Sequence, residues 1–337
     1  MLISSRDAEC SMILVMGVTG SGKSYFINRL AHGAVAEGHK LHSSKTIVFF
    51  LYICNRLNGA ETAECQVVRA RIGRQEVALV DTPGFDDTTR SDAEILEQIV
   101  QFLCTQYELG IPLKGIIYMH RITDNRMSGS AQRYFEMFMR LCGDQNLENV
   151  VLLTTMWGEM KDEGKGLQRE RELRREFWKD MEKNGSTIRR FDGSRSMAEA
   201  FVCRLMRKDD IILDIQDELV GQGKRLEQTK AGQLVVPMID QRIGESERKI
   251  REMEEEERAP NSAEAQRRRR VLIEQHKKNL DQRRRLQVKT GEEVKDKIAG
   301  ERKRDKMKSS LQVFVSILGL VATATVNVIL PLAGVSF

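Results

Sequence analysis

Two short stretches carry groups able to hold a phosphorylated ligand. "GVTGSGKS", Gly17 to Ser24, fits G-x-x-x-x-G-K-S. Glycines at these positions let successive backbone N–H groups close around a phosphate, and a helix opening at Lys23 would add its positive end. Lys23 would neutralise the β- and γ-phosphates. Ser24 would offer its hydroxyl to Mg²⁺, and Val18, Thr19, Gly20, Ser21, Gly22 and Tyr25 complete the contact set. The second stretch, "VALVDTPGFDD", places Asp81 at the end of an apolar run, followed by Thr82, Pro83 and Gly84. An acid there can hold Mg²⁺ through water, and the Gly84 N–H can meet a γ-phosphate. Acid-then-turn sequences are common singly; in this order, after the glycine loop, the pair is specific.

Two further stretches leave apolar runs at the same end. "HRITDNRMSGS" begins at His120. Arg121 and Arg126 are candidates for a cation supplied to a partner, and His120 for orienting a water; the competing reading makes all three loop residues before the next helix. "VVLLTTMWGEM", from Val150 to Met160, ends in Trp157, Gly158, Glu159 and Met160 and holds no aspartate.

The elements must bring these stretches together. Short apolar runs alternate with helical patterns over the first two hundred residues, the order that builds a mostly parallel sheet covered by helices. The pattern predicts strands at Ser11–Met16, Cys65–Ile72, Glu76–Val80, Lys114–Met119, Asn149–Thr154 and Thr187–Phe191. It predicts helices at Lys23–His32, from Ser91 to about Leu109, at Ser130–Cys142 and, strongly charged, up to Glu182. Ser91 with Glu94, and Ser196 with Glu199, read as capping boxes. The second opens a helix packing through Met197, Phe201 and Leu205.

With 337 residues, 41% of them hydrophobic, one globular domain over 1–208 leaves chain to spare. Six scattered cysteines with no CxxC pair fit reduced thiols. The N-terminal residues lack a basic lead and long apolar run, so no secretory signal is read. Net charge is +5, and from Asp240 to Lys308 there are 22 Lys and Arg against 16 Asp and Glu. The basic excess thus belongs to a charged arm over 209–308. Its apolar residues Ile239, Ile243, Ile250, Met253, Ile273, Leu280, Val294 and Ile298 have heptad-compatible spacing with gaps, as in a solvated helix or a weak coiled coil. The arginine runs at 267–270 and 283–285 have interleaved acids and no aromatics, which predicts a solvated face and no specific nucleic acid. Leu311 to Leu330 is twenty residues without a charge, a candidate membrane helix over 311–332 that would anchor a cytoplasmic domain to an intracellular membrane. The alternative is an apolar helix folded back on the main domain.

The glycine loop with "DTPGFDD" resembles the septin, immunity-associated and chloroplast-import branch of P-loop (TRAFAC-class) GTPases. It is similar above all to fungal G-domain proteins carrying "HRITDNRMSGS" and "TTMW". The resemblance spans residues 11–207. It implies a Ras-like three-layer α/β fold, Mg²⁺-dependent binding of GTP and GDP, slow hydrolysis, and homodimers formed through the nucleotide face. By position it makes Thr62 the switch threonine that closes on Mg²⁺ and the γ-phosphate. Phe85 falls where Ras-like enzymes carry a water-orienting glutamine, and phenylalanine cannot orient water by hydrogen bonding. Thr155, Met156 and Trp157 then lie over the usual base-reading motif, with Gly158 in place of its aspartate; Glu159 is a partial substitute. Gly193 and Ser194 would give backbone contacts to the base. Residues 44–59 depart from the pattern as an apolar insert: an extra edge strand, a membrane or partner contact, or retained non-coding sequence, the last two preferred. Two functions compete: a slow GTP-dependent switch or assembly protein at a membrane, and a structural tether whose nucleotide never turns over. A P-loop kinase fits less well, because DTPG stands beside the phosphate loop.

Overall fold

The structure, a computed structural model, describes residues 11–31, 65–84, 90–125, 127–256, 263–304 and 310–317. Thr62, Phe85, Arg126 and the insert at 44–59 lie outside the described residues.

Six strands form one sheet in the order β2-β3-β1-β4-β5-β6. They are β1 (Ser11–Gly17), β2 (Gln66–Ile72), β3 (Gln75–Asp81), β4 (Leu113–Arg121), β5 (Val150–Thr155) and β6 (Thr187–Arg190). Only β2–β3, joined across Gly73, is antiparallel. The fold is the expected three-layer α/β one, with every residue of β1 and β5 buried. Such unbroken apolar strands are what a parallel sheet covered on both faces requires. Registers set Val15 beside Asp81, Gly17 beside Met119, Arg121 beside Thr155, and Thr154 beside Arg190. The carboxyl ends of β1, β3, β4, β5 and β6 thus share one edge, where α/β sheets bind ligands.

One face carries α1 (Lys23–Ala31) and α6 (Arg195–Met206), which pack through Phe26, Ile27, Leu30, Phe201, Val202 and Leu205. The other carries α2 (Asp92–Glu108) and α3 (Gly129–Cys142). α2 opens with the capping box read at Ser91 and Glu94. The box expected at Ser196 and Glu199 does not form. Instead Asp192 accepts the Ser194 N–H at 2.7 Å, Gly193 turns the chain with φ +82°, and Ser194 caps α6 by accepting from Met197 N–H at 3.2 Å. Ser196 lies inside the helix. The charged helix before β6 is α4 (Glu163–Glu172), a π-turn over Leu173–Phe177, then α5 (Lys179–Lys183).

Beyond residue 208 the buried core continues. α7 (Asp214–Gln216), α8 (Gly232–Glu256), α9 (Ala263–Arg285), α10 (Thr290–Arg304) and α11 (Ser310–Ile317) follow. Leu213, Ile215, Leu219, Leu226, Val235, Ile239, Leu286, Val294 and Ile298 share the apolar cluster of α2. α8 and α9 run side by side, joined by Arg269–Glu254, Arg283–Asp240 and Ser246–His276 contacts. In α11, Phe314 is fully buried edge-on against Phe102 of α2, with ring centroids 5.0 Å apart. Among the described residues, no helix is long and apolar enough to cross a membrane. Residues 318–332 of the candidate membrane segment lie outside them.

Candidate functional site

The loop from Gly17 to Ser24 follows β1 and opens α1, and its shape depends on residues lacking a side chain. A Cβ on Gly17 would stand 2.3 Å from the Met119 carbonyl, while Gly20 and Gly22 have φ of +73° and +91°. Only glycine accepts such packing and dihedrals without strain. Lys23, 6% exposed, turns back and donates to the carbonyls of Gly17 and Val18, both at 3.0 Å. This holds its ammonium over the loop mouth. Ser24 Oγ donates to Asp81 Oδ2 at 2.6 Å, joining the start of α1 to the end of β3. Thr82 anchors the following turn, its Oγ1 donating to Val15 O at 3.0 Å. A Cβ on Gly84 would lie 2.1 Å from Thr19 Oγ1, so the Gly84 backbone rests directly on the loop.

The Ser24 hydroxyl and the Asp81 carboxylate are two hard oxygen donors at hydrogen-bond distance. That set suits Mg²⁺, which takes one or two protein oxygens and fills its octahedron with water and phosphate. No cluster of three or more His, Cys, Asp or Glu side chains able to hold a metal occurs among the described residues. Two protein oxygens suit a metal whose remaining positions are filled by water and a phosphorylated ligand.

On the other side of β1, the segment after β4 is braced. Arg121 Nε lies 3.1 and 3.2 Å from the two Asp124 carboxylate oxygens. Arg169 of α4 donates to the carbonyls of Ile122 (2.8 Å) and Thr123 (3.0 Å) and to Asn125. His120, 3% exposed, sits edge-on to Trp178, and burial lowers its pKa to about 4. It is therefore neutral at physiological pH. It faces a cleft of about 190 Å³, shared with Arg121, Arg169, Glu172 and Phe177.

The β5 and β6 ends form the remaining wall. Thr155 Oγ1 donates to Ser21 O at 2.9 Å and lies 3.3 Å from His120 O, tying the β5 loop to the phosphate loop. Met156 has φ +61°, alone among the described non-glycine residues in that region. Its Cε stands 3.5 Å from a Cβ built on Gly22, which lays the thioether across the phosphate loop. Trp157 is turned away: its Nε1 donates to Thr154 Oγ1 at 3.0 Å and its edge meets Gly166 of α4. Arg190 covers its ring face at 4.1 Å. Arg190 is held in turn by Glu170, which is 7% exposed, at 2.6 and 2.9 Å. Gly158 is exposed, and a Cβ there would meet nothing. The Tyr25 hydroxyl lies 3.5 Å from Gly193 O, so α1 also touches the β6 loop.

The structure thus gathers Gly17–Tyr25, Asp81, Gly84, Thr155, Met156, Gly193 and Ser194 at one edge, with Trp157 packed behind them. Sequence reasoning passed over Asp192, Arg169 and the Glu170–Arg190 pair. Asp192 is exposed, and its bonds from Ser194 hold its carboxyl below the usual carboxylate range. An Asp-Gly-Ser turn directly after a strand was the available signal.

No protein-family model matches this chain. No curated protein matches it either. Several solved structures are similar. Toc33 from Arabidopsis thaliana in complex with Mg²⁺ and GMPPNP is 16% identical over 61% of this chain and 89% of that one, with a TM-score of 0.43. Aquifex aeolicus Era bound to GDP and AlF4⁻ is 15% identical over 60% of this chain and 58% of that one, with a TM-score of 0.39. The elongation factor SelB from Methanococcus maripaludis with a GTP analogue is 10% identical over 60% and 35%, with a TM-score of 0.37.

Proposed function

We propose that this chain is a guanine-nucleotide-binding switch that takes GTP or GDP with Mg²⁺ and hydrolyses GTP slowly. One observation carries the reading: Lys23 is held over the mouth of a glycine loop whose flank brings together Ser24 and Asp81 and rests Gly84 on Thr19. Lys23 and the N–H groups opening α1 would bind the β- and γ-phosphates. Ser24 and Asp81 would hold Mg²⁺, which supplies neutralisation of phosphate charge when bound. Gly84, whose backbone rests on Thr19, would let its N–H follow the presence of a γ-phosphate. Thr62 would close from the opposite side.

Guanine is read without the usual aspartate. Asp192 follows β6, whose next residue, Phe191, donates its N–H to the Thr154 carbonyl at 2.9 Å, so the chain at Asp192 leaves the sheet beside the β5 loop that lacks an acid. One oxygen is engaged by Ser194; the other can accept from the guanine N1 and N2 groups. Met156 would lie along the base in place of a lysine stem.

Self-association through the nucleotide face and action at a membrane through residues beyond 310 complete the proposal. The competing reading, a tether with a nucleotide that never turns over, is distinguished by kinetics. Nucleotide co-purifying with the full-length protein should be GDP or GTP by chromatography. A single-turnover assay with radiolabelled GTP should then show release of phosphate. Bound GTP that persists unhydrolysed at every protein concentration would establish the tether, and an absence of guanine-nucleotide binding would sink both.

A further inference from the structure

We propose that Arg121 is a catalytic cation supplied by the chain to its own nucleotide, rather than lent to a partner; this rests on the GTP-binding reading above. In the sheet, β1 lies between β3 and β4. Asp81 ends β3 and Arg121 ends β4, so the phosphate loop is straddled by the two. On the β3 side stand the Ser24–Asp81 pair and the Gly84 backbone. On the β4 side, Arg121 Nη1 lies 2.9 Å from where a Cβ on Gly20 would be. Phosphates held in the loop would have the metal pair on one flank and a guanidinium on the other.

The guanidinium is aimed. Asp124 engages its Nε, and Nη1 reaches the loop at Gly20. Arg169 fixes the backbone on which Asp124 stands, through Ile122, Thr123 and Asn125. The Arg121 side chain is 32% exposed, so its charge is less screened than at an open surface. An ion pair serving only to tie residues 121–125 together would need no approach to Gly20. Here Nη1 comes close enough that a side chain at position 20 would displace it.

The electrostatics point the same way. Lys23 and Arg121 flank one loop, faced by the carboxylates of Asp81 and Asp124. Lys23 and the positive end of α1 are left for the resting phosphates, and Arg121, held by Asp124, for charge that grows in the transition state. In hydrolysis, water attacks the γ-phosphorus while the bond to the β–γ bridging oxygen breaks. Electrons from that bond stay on the bridging oxygen, and the water's protons leave with inorganic phosphate and solvent. Arg121 donates hydrogen bonds to the oxygens where negative charge grows. Donors placed in this way raise kcat rather than ground-state affinity.

The test uses the full-length protein with Arg121→Ala and Arg121→Lys. Fluorescent GDP affinity, single-turnover GTP hydrolysis over a hundredfold range of protein concentration, and capture of aluminium fluoride on bound GDP are measured on each. The expected result is GDP affinity within about threefold of wild type for both variants, in the absence of a ground-state role. Hydrolysis by Arg121→Ala falls at least about a hundredfold at every concentration, and aluminium fluoride is no longer captured. Arg121→Lys keeps the charge without the planar fork and recovers part of the rate. An unchanged rate in Arg121→Ala overturns the proposal. So does a loss seen only at high protein concentration, which would place the arginine across a contact between two chains, or an equal loss of GDP affinity. Should Arg121→Ala fail to fold, wild-type rates in Arg121→Lys would overturn it alone. Wild type that binds GTP without hydrolysing it also overturns this proposal while leaving the nucleotide-binding reading intact. Wild type that binds no guanine nucleotide fails the earlier reading instead.

Discussion

The phosphate half and the base half of the candidate site hang from one sheet edge, but they are built from different material. The phosphate half is mainly backbone: three glycines at positive φ, loop carbonyls and a helix start, with Lys23, Ser24 and Asp81 as its few side chains. The base half is mainly side chain: a methionine in a left-handed conformation, a tryptophan clamped by Arg190, and the Asp192 carboxylate of the β6 loop, proposed to stand in for the acid missing from the β5 loop. Backbone geometry tolerates few substitutions, because each glycine is fixed by a carbonyl or a dihedral. A side-chain wall can be rebuilt, provided that a donor and an acceptor still meet the base. The two halves should therefore fail differently when mutated.

The largest effect is expected in the phosphate half. Lys23→Ala removes the main counter-ion of buried phosphate charge together with charge-assisted hydrogen bonds. GTP and ATP affinity should both fall by roughly a hundredfold to a few thousandfold, since losing one partner of a buried charge pair costs about 3–5 kcal/mol. Titration with fluorescent nucleotides measures it. Unchanged affinity would show that the loop is not the phosphate site and would void the comparison. Asp81→Ala should weaken Mg²⁺ dependence more than nucleotide affinity.

The base half should lose selectivity instead of binding. Asp192→Asn exchanges an acceptor for a group that is half donor. Affinity for GTP should fall by about tenfold to a hundredfold, the worth of one charge-assisted bond of roughly 1.5–3 kcal/mol. ATP should be unaffected, and xanthosine triphosphate, which presents the complementary acceptor, should gain. Competition among the three nucleotides reads this out. A GTP-specific loss in Glu159→Gln, with Asp192→Asn silent, would return base reading to the β5 loop.

Gly158→Asp is expected to act in the opposite direction. Gly158 is exposed and a Cβ there meets no atom within 4 Å, so the side chain enters without strain. It should tighten GTP by about tenfold or less and leave ATP unchanged, since in the proposed reading Asp192 meets part of the donor set. Improvement of neither nucleotide would place the loop in another register.

How much of this was legible depends on what each element answers to. The glycine loop, DTPG and the Ser91 cap are local: their physics lies within a few residues, so their spacing suffices. The Ser196–Glu199 pair imitates a capping box equally well. It lost to Ser194 because Asp192 and Gly193 had already turned the chain, a contact between neighbours that the spacing rule ignores. Apolar spacing over Ile239, Val294 and Ile298 was visible as periodicity, but periodicity names no partner. That these residues join Phe102 and Leu103 in one core depends on the tertiary path. Likewise the β5 loop showed that an acid was missing, whereas its neighbour after β6 became relevant only once β5 and β6 were paired.

The smallest effect concerns the seam between the halves. Thr155 Oγ1 donates to Ser21 O at 2.9 Å, a direct hydrogen bond from the base loop into the phosphate loop. Both groups are buried, with Thr155 2% exposed and Ser21 wholly covered. Thr155→Val keeps the shape but leaves the Ser21 carbonyl without that donor. The cost is about 1 kcal/mol, between the net worth of a neutral hydrogen bond and the penalty for an unsatisfied buried acceptor. Thr155→Ser retains the hydroxyl and should cost less. Because the bond positions the loop and touches no base, its loss should weaken GTP and ATP equally, by about fivefold, without changing their ratio. Parallel titrations of the two nucleotides against both variants decide it. A selective loss of GTP in Thr155→Val would mean that the hydroxyl takes part in reading the base, and that Thr155 belongs to the base half of the site.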